Sequence, residues 1–278
     1  MQTNYERITS EIVAELESGT VPWDRPWSTF GAPRNAVSGK DYRGINTLLL
    51  TLNSFADPRF VTFRQAGLLG GHVLKGQKGQ RVVYFNMLSS KTEKTKTGDA
   101  KAFPMLKIYT VFNVSQCEGL DIPALETSPR TVTPVAAAEA IADGYPAGPS
   151  VDWTSGQASY RPSTDHVSMP PQGAFISDGA RYSTLFHELT HSTGHESRLN
   201  RPTLTSQMGY GSETYGREEL VAELGAAFLM GAAGLEPEIA RSASYIKGWI
   251  KVLRDDSKAI VSAASKAQKA SDHILGKS

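Results

Sequence analysis

The chain has little cysteine, little net charge and no long hydrophobic run. Its 278 residues include one cysteine, Cys117, which excludes an internal disulfide and suits a reducing compartment. The first residues include acidic side chains and no apolar core segment, so no secretory signal is expected. The longest apolar stretch, residues 220–235, is interrupted by Glu223 and is too short to cross a bilayer. These absences predict a cytoplasmic protein that has no membrane partner.

Two of the six histidines fall in one short motif, His187-Glu188-Leu189-Thr190-His191. On a helix, residues four apart project from one face, so both imidazoles can reach a single metal ion. Glu188 then lies where it can take a proton from a water bound to that metal. The motif predicts one Zn²⁺ site, or a site for another divalent transition metal, with Glu188 as the catalytic base.

A zinc hydrolase of this kind needs a third protein ligand, and carboxylates follow about thirty residues downstream. Glu219 and Glu223 are four apart, and therefore on one helix face, in an otherwise apolar stretch. Buried carboxylates are unfavourable unless they are paired or bind a metal. One of the two can therefore bind the metal while the other holds a ligand histidine by its free N–H. Glu218 is the alternative ligand because the helix phase is open, although a solvated charge is the favoured interpretation of it.

This spacing resembles that of the gluzincin metallopeptidases, in which a glutamate ligand is followed four residues later by an acidic residue. The resemblance implies that Glu219 is the third metal ligand and that Glu223 is the carboxylate behind a ligand histidine. The metzincin pattern needs a histidine at position 197, where this chain has Ser197. Gly194 is expected to end the helix, which leaves His195 in a loop near the site.

Charge is unevenly distributed along the chain, although the net charge is only +1. Residues 1–120 contain 15 lysines and arginines against 10 acidic residues, whereas residues 121–278 contain 14 against 18. Prolines in residues 121–150 exclude a long helix or a central strand there, apart from a short helix capped by Thr133. We therefore predict two domains, 1–120 and 151–278, joined by a Pro-rich connection at 121–150.

Local patterns predict an α+β fold class, with an N-terminal α+β nucleic-acid-binding domain. Its predicted helices cover residues 5–17, 45–53 and 62–69, and its strands cover 81–85 and 106–114. The polar, Lys-rich residues 89–101 are expected to form a flexible hairpin loop.

The C-terminal domain is predicted to place two short strands before the metal-binding helix. The strands cover residues 158–160 and 166–169, the metal-binding helix about 181–193, and a long amphipathic helical region 237–275. A strand directly before the metal-binding helix is where zincins keep the edge strand that binds an extended peptide.

The N-terminal domain has the composition of a protein that binds single-stranded DNA. Residues 30–107 contain 13 basic against 4 acidic residues, and residues 1–120 contain 13 of the 24 aromatic residues. Positive charge can follow a phosphate backbone while aromatic rings stack on unpaired bases. Aromatic and basic residues alternate at Trp23, Arg25 and Trp27, whereas Phe85 and Phe112 are expected to be core residues. The candidate DNA-binding residues are Tyr42, Arg43, Lys75, Lys78 and Arg81.

Longer motifs resemble one family over almost the whole chain. The motifs are residues 19–27, 35–46, 62–66, 70–76 and 111–116, followed by the metal motif and residues 193–195, 198–199 and 218–223. In this order they resemble ArdC-type antirestriction proteins, whose first domain is shared with TraC-type plasmid primases. The resemblance implies an N-terminal single-stranded DNA-binding domain and a C-terminal zincin-like metallopeptidase domain. It also implies a role on mobile elements, against host restriction during conjugative transfer.

Two functions remain open from the sequence. In the first, the chain binds DNA and is also an active zinc peptidase that cleaves a protein or peptide of the host. In the second, DNA binding protects the DNA, and the zinc domain is a structural or recognition module without peptidase activity. The presence of Glu188 favours an intact catalytic site, because a decayed enzyme commonly loses its base first.

Overall fold

The computed structural model describes residues 2–24, 31–53, 55–94, 100–125, 132–205, 213–238 and 243–277. Four predicted features lie partly outside these ranges: the residues Arg25 and Trp27, residues 126–131 of the Pro-rich connection, residues 95–99 of the predicted hairpin loop, and residues 239–242 of the predicted helical region.

The three helices predicted for the N-terminal part are present as α1 (Asn4–Glu17), α2 (Ile45–Thr51) and α3 (Phe63–Leu68). At the start of α1, the Thr3 hydroxyl accepts a hydrogen bond from the Glu6 N–H, and the Glu6 carboxylate accepts one from the Thr3 N–H. Thr62 and Gln65 make the same reciprocal pair at the start of α3. Such capping boxes satisfy N–H groups that a helix end leaves unpaired, which is why these starts are readable from sequence.

The N-terminal strands form a four-stranded sheet. Its order is β1 (Arg34–Asn35), β2 (Arg59–Val61), β5 (Ala100–Asn113) and β4 (Gln80–Lys94), parallel between β1 and β2 and antiparallel elsewhere. Two further strands, β3 (His72–Val73) and β6 (Cys117–Glu118), pair antiparallel with each other.

The hairpin of β4 and β5 is longer than the sequence pattern indicated. The prediction of a loop over 89–101 is wrong for residues 89–94 and 100–101, which continue the two strands. Backbone hydrogen bonds hold such a ribbon together, and they form whether the side chains are polar or apolar. A polar composition therefore did not distinguish an extended hairpin from a loop.

The C-terminal part begins with α4 (Pro134–Asp143), which Thr133 caps as predicted. A three-stranded sheet follows, made of β7 (Ser150–Asp152), β8 (Ser159–Arg161) and β9 (His166–Ser168) in the order β7-β9-β8. The strand before the metal-binding helix is therefore central, and the expectation that it is an edge strand is wrong. Strand β7 pairs parallel along one side of β9, and β8 pairs antiparallel along the other.

The remaining helices are α5 (Asp178–Ser192), α6 (Pro202–Thr205), α7 (Glu213–Ala233), α8 (Ala243–Asp255) and α9 (Ala259–Ile274). The predicted helical region 237–275 is two helices, α8 and α9, that are separated at residues 256–258. There the Asp256 side chain accepts a hydrogen bond from the Lys258 N–H, a local bond that competes with the helical pattern. No helix among the described residues is long and apolar enough to cross a membrane.

The two predicted domains share a hydrophobic core. One cluster joins Ile8 and Ile12 of α1 with Leu220 of α7 and Trp249 of α8, and a second joins α4, α5, α7 and β9. Polar contacts reinforce the first cluster, since the Thr9 hydroxyl donates to the carbonyl of residue 257 at 2.7 Å. A fragment ending at residue 120 would expose the apolar face of α1. The boundaries at 120 and 151 remain a prediction, and tests of either part are best made on the whole chain.

Candidate metal centre

Helices α5 and α7 cross at close range, and this crossing positions the candidate metal ligands. Gly225 of α7 lies against Thr190 of α5, and a Cβ added to Gly225 would lie 2.4 Å from Cγ2 of Thr190. A larger residue would push the helices apart, because a contact that short is not tolerated in a packed interior. The turns of α7 that precede Gly225 then face His187 and His191 on α5.

His187, His191 and Glu219 converge on one point. The Nε2 atoms of the two histidines are 3.1 Å apart. Oε2 of Glu219 lies 3.4 Å from Nε2 of His187, and Oε1 of Glu219 lies 3.4 Å from Nε2 of His191. Within the ranges that the structure describes, this is the one group of three potential ligands whose donor atoms all lie within 4.8 Å of one another.

The donor set suits a divalent transition metal. Two imidazole nitrogens and one carboxylate oxygen are the protein ligands of many catalytic zinc sites, and imidazole also suits other transition metals. Both Nε2 atoms face each other and the same carboxylate, so one cation between them can accept a lone pair from each residue. The residues present therefore fit a metal ion.

A second carboxylate faces the other ring nitrogen of each histidine. Nδ1 of His187 lies 3.7 Å from Oε1 of Glu223, and Nδ1 of His191 lies 3.5 Å from Oε1 of Glu218. Glu223 is thus beside His187, where the resemblance to gluzincins implied. The interpretation of Glu218 as a solvated charge is wrong, because it is 0% exposed and forms an ion pair with Arg201. Carboxylates in these positions orient a ligand histidine by holding its Nδ1–H.

Arg201 is a buried cation that the sequence analysis did not identify. Its guanidinium donates to Glu218 and to the carbonyl oxygens of Thr190 (2.8 Å) and His191 (3.2 Å) at the end of α5. Gly194 leaves room for it, since a Cβ there would lie 2.9 Å from Nη2 of Arg201. Arg201 and Glu218 are 17 residues apart in sequence and belong to no common motif, so no local signal indicated their pairing.

The charges of the cluster shift one another's pKa values. Burial lowers the pKa of His191, but the neighbouring carboxylates of Glu218 and Glu219 outweigh burial and raise it to about 10. Burial raises the pKa of Glu218, but His191 and Arg201 outweigh burial and lower it to about 2. For Glu219 too, hydrogen bonds from His187 and His191 exceed the effect of burial, so its pKa is lowered. In the metal-free protein both carboxylates are therefore ionised at neutral pH and His191 carries a proton, which metal binding would release.

Tyr245 of α8 contacts the cluster from a third element. Its hydroxyl donates to Oε2 of Glu219, and burial next to that carboxylate raises the pKa of the hydroxyl. Its ring packs edge-on against Trp249 with centroids 5.3 Å apart, and Trp249 packs edge-on against Trp23 at 5.0 Å. A series of aromatic rings thus connects Glu219 to the N-terminal part. Tyr245 belongs to no motif and lies 26 residues after Glu219, so sequence reasoning missed it.

Glu188 and His195 occupy the local positions that the sequence predicted. Glu188 follows His187 on α5 and is buried. Helix α5 ends at Ser192, before Gly194, and His195 lies in the turn that follows. Nδ1 of His195 is 2.8 Å from the Ser197 hydroxyl, so its polar contact is within the loop.

The five candidate DNA-binding residues fall in separate places. Tyr42 and Arg43 line a cavity of about 400 Å³ between the N-terminal part and helices α7 and α9. Tyr42 is half-buried and packs edge-on against Phe60 at 6.4 Å, while Arg43 forms an ion pair with Asp272. Tyr42 therefore contributes to packing as well as to the cavity wall.

The other three candidates lie around the start of β4. Lys75 and Lys78 are exposed in the segment between β3 and β4. Arg81 is exposed but pairs with Glu11 of α1 at 2.7 Å. The expectation that Phe85 is a core residue is wrong, since it is 47% exposed on a part of β4 that the core clusters do not include.

Family models match both parts of the chain. Residues 2–112 match the N-terminal domain of the anti-restriction factor ArdC, and residues 136–266 match a zincin-like metallopeptidase. Together with the mixed helices and strands of the structure, these matches confirm the predicted α+β class with a zincin-like second part.

Relatives extend the comparison over the whole chain. The uncharacterized protein y4eC of Sinorhizobium fredii (strain NBRC 101917 / NGR234) is 36% identical over 96% of this chain and 90% of its own length. Two proteins named DNA primase TraC from Escherichia coli are 35% and 33% identical over 98% of this chain. The chain spans only 27% and 20% of the lengths of those two primases.

Two solved structures also match almost the whole chain. The metal-free crystal structure of the antirestriction ArdC protein from the R388 plasmid is 36% identical and matches with a TM-score of 0.78. The match covers 99% of this chain and 97% of that one. Its Mn(II)-bound crystal structure is 35% identical, with a TM-score of 0.77 over 99% and 98% of the two chains.

Proposed function

Because the chain belongs to the ArdC family of antirestriction proteins, we propose that it binds single-stranded DNA without sequence preference and is a zinc metallopeptidase. It acts in the cytoplasm on plasmid DNA that enters a new host by conjugative transfer, and it counters restriction there. The observation that supports the peptidase function is the convergence of His187, His191 and Glu219 beside Glu188.

In this proposal, His187, His191 and Glu219 hold Zn²⁺ or another divalent transition metal. A bound zinc ion lowers the pKa of a water ligand and polarises a substrate carbonyl. Glu223 and Glu218 lie beside Nδ1 of the two imidazoles, where they would hold the rings with Nε2 turned inward. Glu188 takes the proton from the attacking water and donates it to the leaving amine, as a general base and then a general acid. The substrate class is a peptide or protein of the host.

Two features support the DNA-binding part of the proposal. Residues 30–107 have a large excess of positive charge, which favours a phosphate backbone as partner. The chain is also similar to the corresponding portion of proteins named DNA primase, which act on nucleic acid. Aromatic side chains in the same region suit unpaired bases rather than duplex DNA.

Metal content and peptide hydrolysis, measured together, test the peptidase function. We expect wild type to contain about one metal ion per chain by elemental analysis and to cleave members of a peptide library. Glu188→Gln should retain the metal and lose cleavage, whereas a His187→Ala, His191→Ala double variant should lose the metal. Full metal occupancy in the double variant would contradict the site.

The alternative function gives a different pattern in the same experiment. A protein that binds metal, protects DNA and cleaves no peptide would have a metal domain that is structural or recognises a partner. Conjugative transfer into restricting and non-restricting recipients separates the two functions. Glu188→Gln should lower transfer only into restricting recipients if peptide cleavage matters, and it should have no effect if DNA binding alone protects.

A further inference from the structure

The two faces of the β4–β5 hairpin have different surroundings. On one face, Val83 of β4 and Leu106 of β5 belong to the core that includes Ile8 and Ile12 of α1, and Ile108, directly opposite Val83, packs against that core. Helix α1 therefore covers that face.

The opposite face is buried only at its inner end. Val82 and Val111 lie in a small core with Leu50 of α2 and Phe60 of β2. On the same face, Tyr84 lies directly opposite Lys107, and Tyr109 lies directly opposite Val82. Residues opposite each other in an antiparallel pair share a face, as do residues two apart on one strand. Tyr84, Lys107 and Tyr109 therefore project together, and we call them the tyrosine platform.

The tyrosine platform is open to solvent. Tyr84 is 59% exposed and Tyr109 is 48% exposed, and Lys107 between them is exposed as well. Neighbouring large aromatic side chains that remain exposed on a sheet indicate an interaction surface. The residues on this face over positions 80–86 and 105–111 include no carboxylate: Gln80, Val82, Tyr84, Asn86, Met105, Lys107, Tyr109 and Val111. Its partner is therefore expected to be negatively charged.

We propose that the tyrosine platform is the surface on which this protein stacks the bases of single-stranded DNA, with Lys107 contacting the phosphate backbone. The proposal rests on the proposed function, that the chain binds single-stranded DNA. Diagonal neighbours on adjacent strands are about 7–8 Å apart, so each ring has room for its own base. Every base has an aromatic face, so stacking of this kind is independent of sequence. Duplex bases are already stacked on each other, so the platform favours single strands.

Charge argues against a second copy of this chain as the partner. Two copies joined through this face would bring Lys107 against Lys107, and neither copy has a carboxylate on the face to pair with it.

Fluorescence anisotropy with a labelled oligothymidine of about 20 nucleotides tests the platform on the full-length protein. A Tyr84→Leu, Tyr109→Leu double variant should raise the Kd by about tenfold or more, because both stacking rings are lost. A Tyr84→Phe, Tyr109→Phe variant keeps the rings and should stay within about twofold of wild type. Lys107→Gln should weaken binding less than the double leucine variant does. It should also lower the slope of log affinity against log salt concentration by about one, the value for one phosphate contact.

Phe63→Leu provides the matched control. Phe63 is another exposed ring of the N-terminal part, and it packs against Phe112. Phe112 lies on the other face of the hairpin, because it alternates with the platform residues along β5. This variant should leave the Kd unchanged. Thermal unfolding and metal content should be the same for all variants, since the platform side chains are exposed.

Several outcomes separate the platform from the proposed function. Wild type that does not bind oligothymidine overturns both. Wild type that binds, with a double leucine variant that binds equally well, overturns the platform alone. Photo-crosslinking to 5-iodouracil in the same oligonucleotide should yield adducts at Tyr84 or Tyr109, and adducts confined to other residues contradict the proposal. A dimer of wild type in light scattering that the double leucine variant abolishes would show that this face binds a second copy instead.

Discussion

The metal centre and the tyrosine platform are built in opposite ways. In the metal centre, buried carboxylates of α7 face histidines and an arginine supplied by the same chain. On the platform, exposed rings and a lysine face solvent, and their partner comes from outside the protein. A change in the metal centre should therefore affect folding and metal affinity together. A change on the platform should affect only ligand affinity.

Removing the buried cation should give the largest effect on stability. Arg201→Ala leaves Glu218 buried and without its main countercharge, which should lower the free energy of unfolding by about 3–5 kcal/mol. Urea unfolding of the metal-free protein measures this loss in the free energy of unfolding. Replacing both partners, as in Arg201→Met with Glu218→Leu, should recover much of the loss because neither charge of the pair is then buried without the other.

Arg217→Ala is the matched control for this prediction. Arg217 is an arginine of α7 itself, and its ion pair with Asp256 at 2.8 Å is partly exposed to solvent. Its loss should lower stability by no more than about 1 kcal/mol. Equal effects of the two arginine substitutions would contradict the distinction between buried and open charges.

The carboxylates of α7 should differ in their effect on metal affinity. Glu219→Ala removes a ligand and should cost more affinity than Glu223→Ala or Glu218→Ala, each of which should cost about 10–100-fold. Titration with a competing chromogenic chelator measures all three variants. If Glu218→Ala strips the metal and Glu219→Ala does not, the assignment of Glu219 as ligand is wrong.

Tyr245 should have a smaller effect of the same kind. Tyr245→Phe keeps the ring that packs on Trp249 and removes only the hydroxyl that donates to Glu219. Metal affinity should fall by up to about tenfold, since an outer partner of a ligand is lost. Tyr160→Phe is the control, because its hydroxyl donates to Asp165, outside the ligand group. Indistinguishable affinities for Tyr245→Phe and wild type would show that this hydrogen bond does not support the site.

A further expected effect is a dependence of stability on acid pH. The pKa of Glu218 is lowered from 4.5 to about 2 in the folded protein, so its contribution is fully present above about pH 4.5. That contribution is lost as the pH falls from about 4.5 towards 2, because protonation is then favoured in the unfolded chain. In EDTA, the unfolding midpoint of wild type should fall more steeply over this window than that of Glu218→Gln. If the unfolding midpoints of wild type and Glu218→Gln fall in parallel with pH, Glu218 does not contribute to the acid dependence of stability.

The sequence predicted features that depend on neighbouring residues, but it did not predict contacts between distant parts of the chain. The motif on α5 and the Thr133 cap of α4 depend on residues within one turn, and both lie where expected. The pairing of Arg201 with Glu218, by contrast, depends on where a loop folds back on α7. No pattern within a few residues specifies it.

Exposure was harder to predict than local structure. Phe85 has the residue type of a core position, and the polar residues 89–94 have the composition of a loop, yet both belong to an extended strand. Tyr109 shares a face with Tyr84 only because of the register between β4 and β5, which the sequence of either strand alone does not define. The central position of β9 likewise depends on its pairing with β7, and the paired residues of the two strands are 16 positions apart in sequence.

Single-stranded DNA affinity, measured with and without metal, tests most directly whether the two regions act separately. The same full-length preparation is titrated against labelled oligothymidine after metal loading and after EDTA treatment, beside Glu188→Gln. Since the platform and the metal ligands are different surfaces, we predict Kd values within about twofold of one another in all three samples. A tenfold or greater rise in Kd on metal removal would contradict the account. It would indicate coupling, for which the rings of Tyr245, Trp249 and Trp23 provide a physical connection.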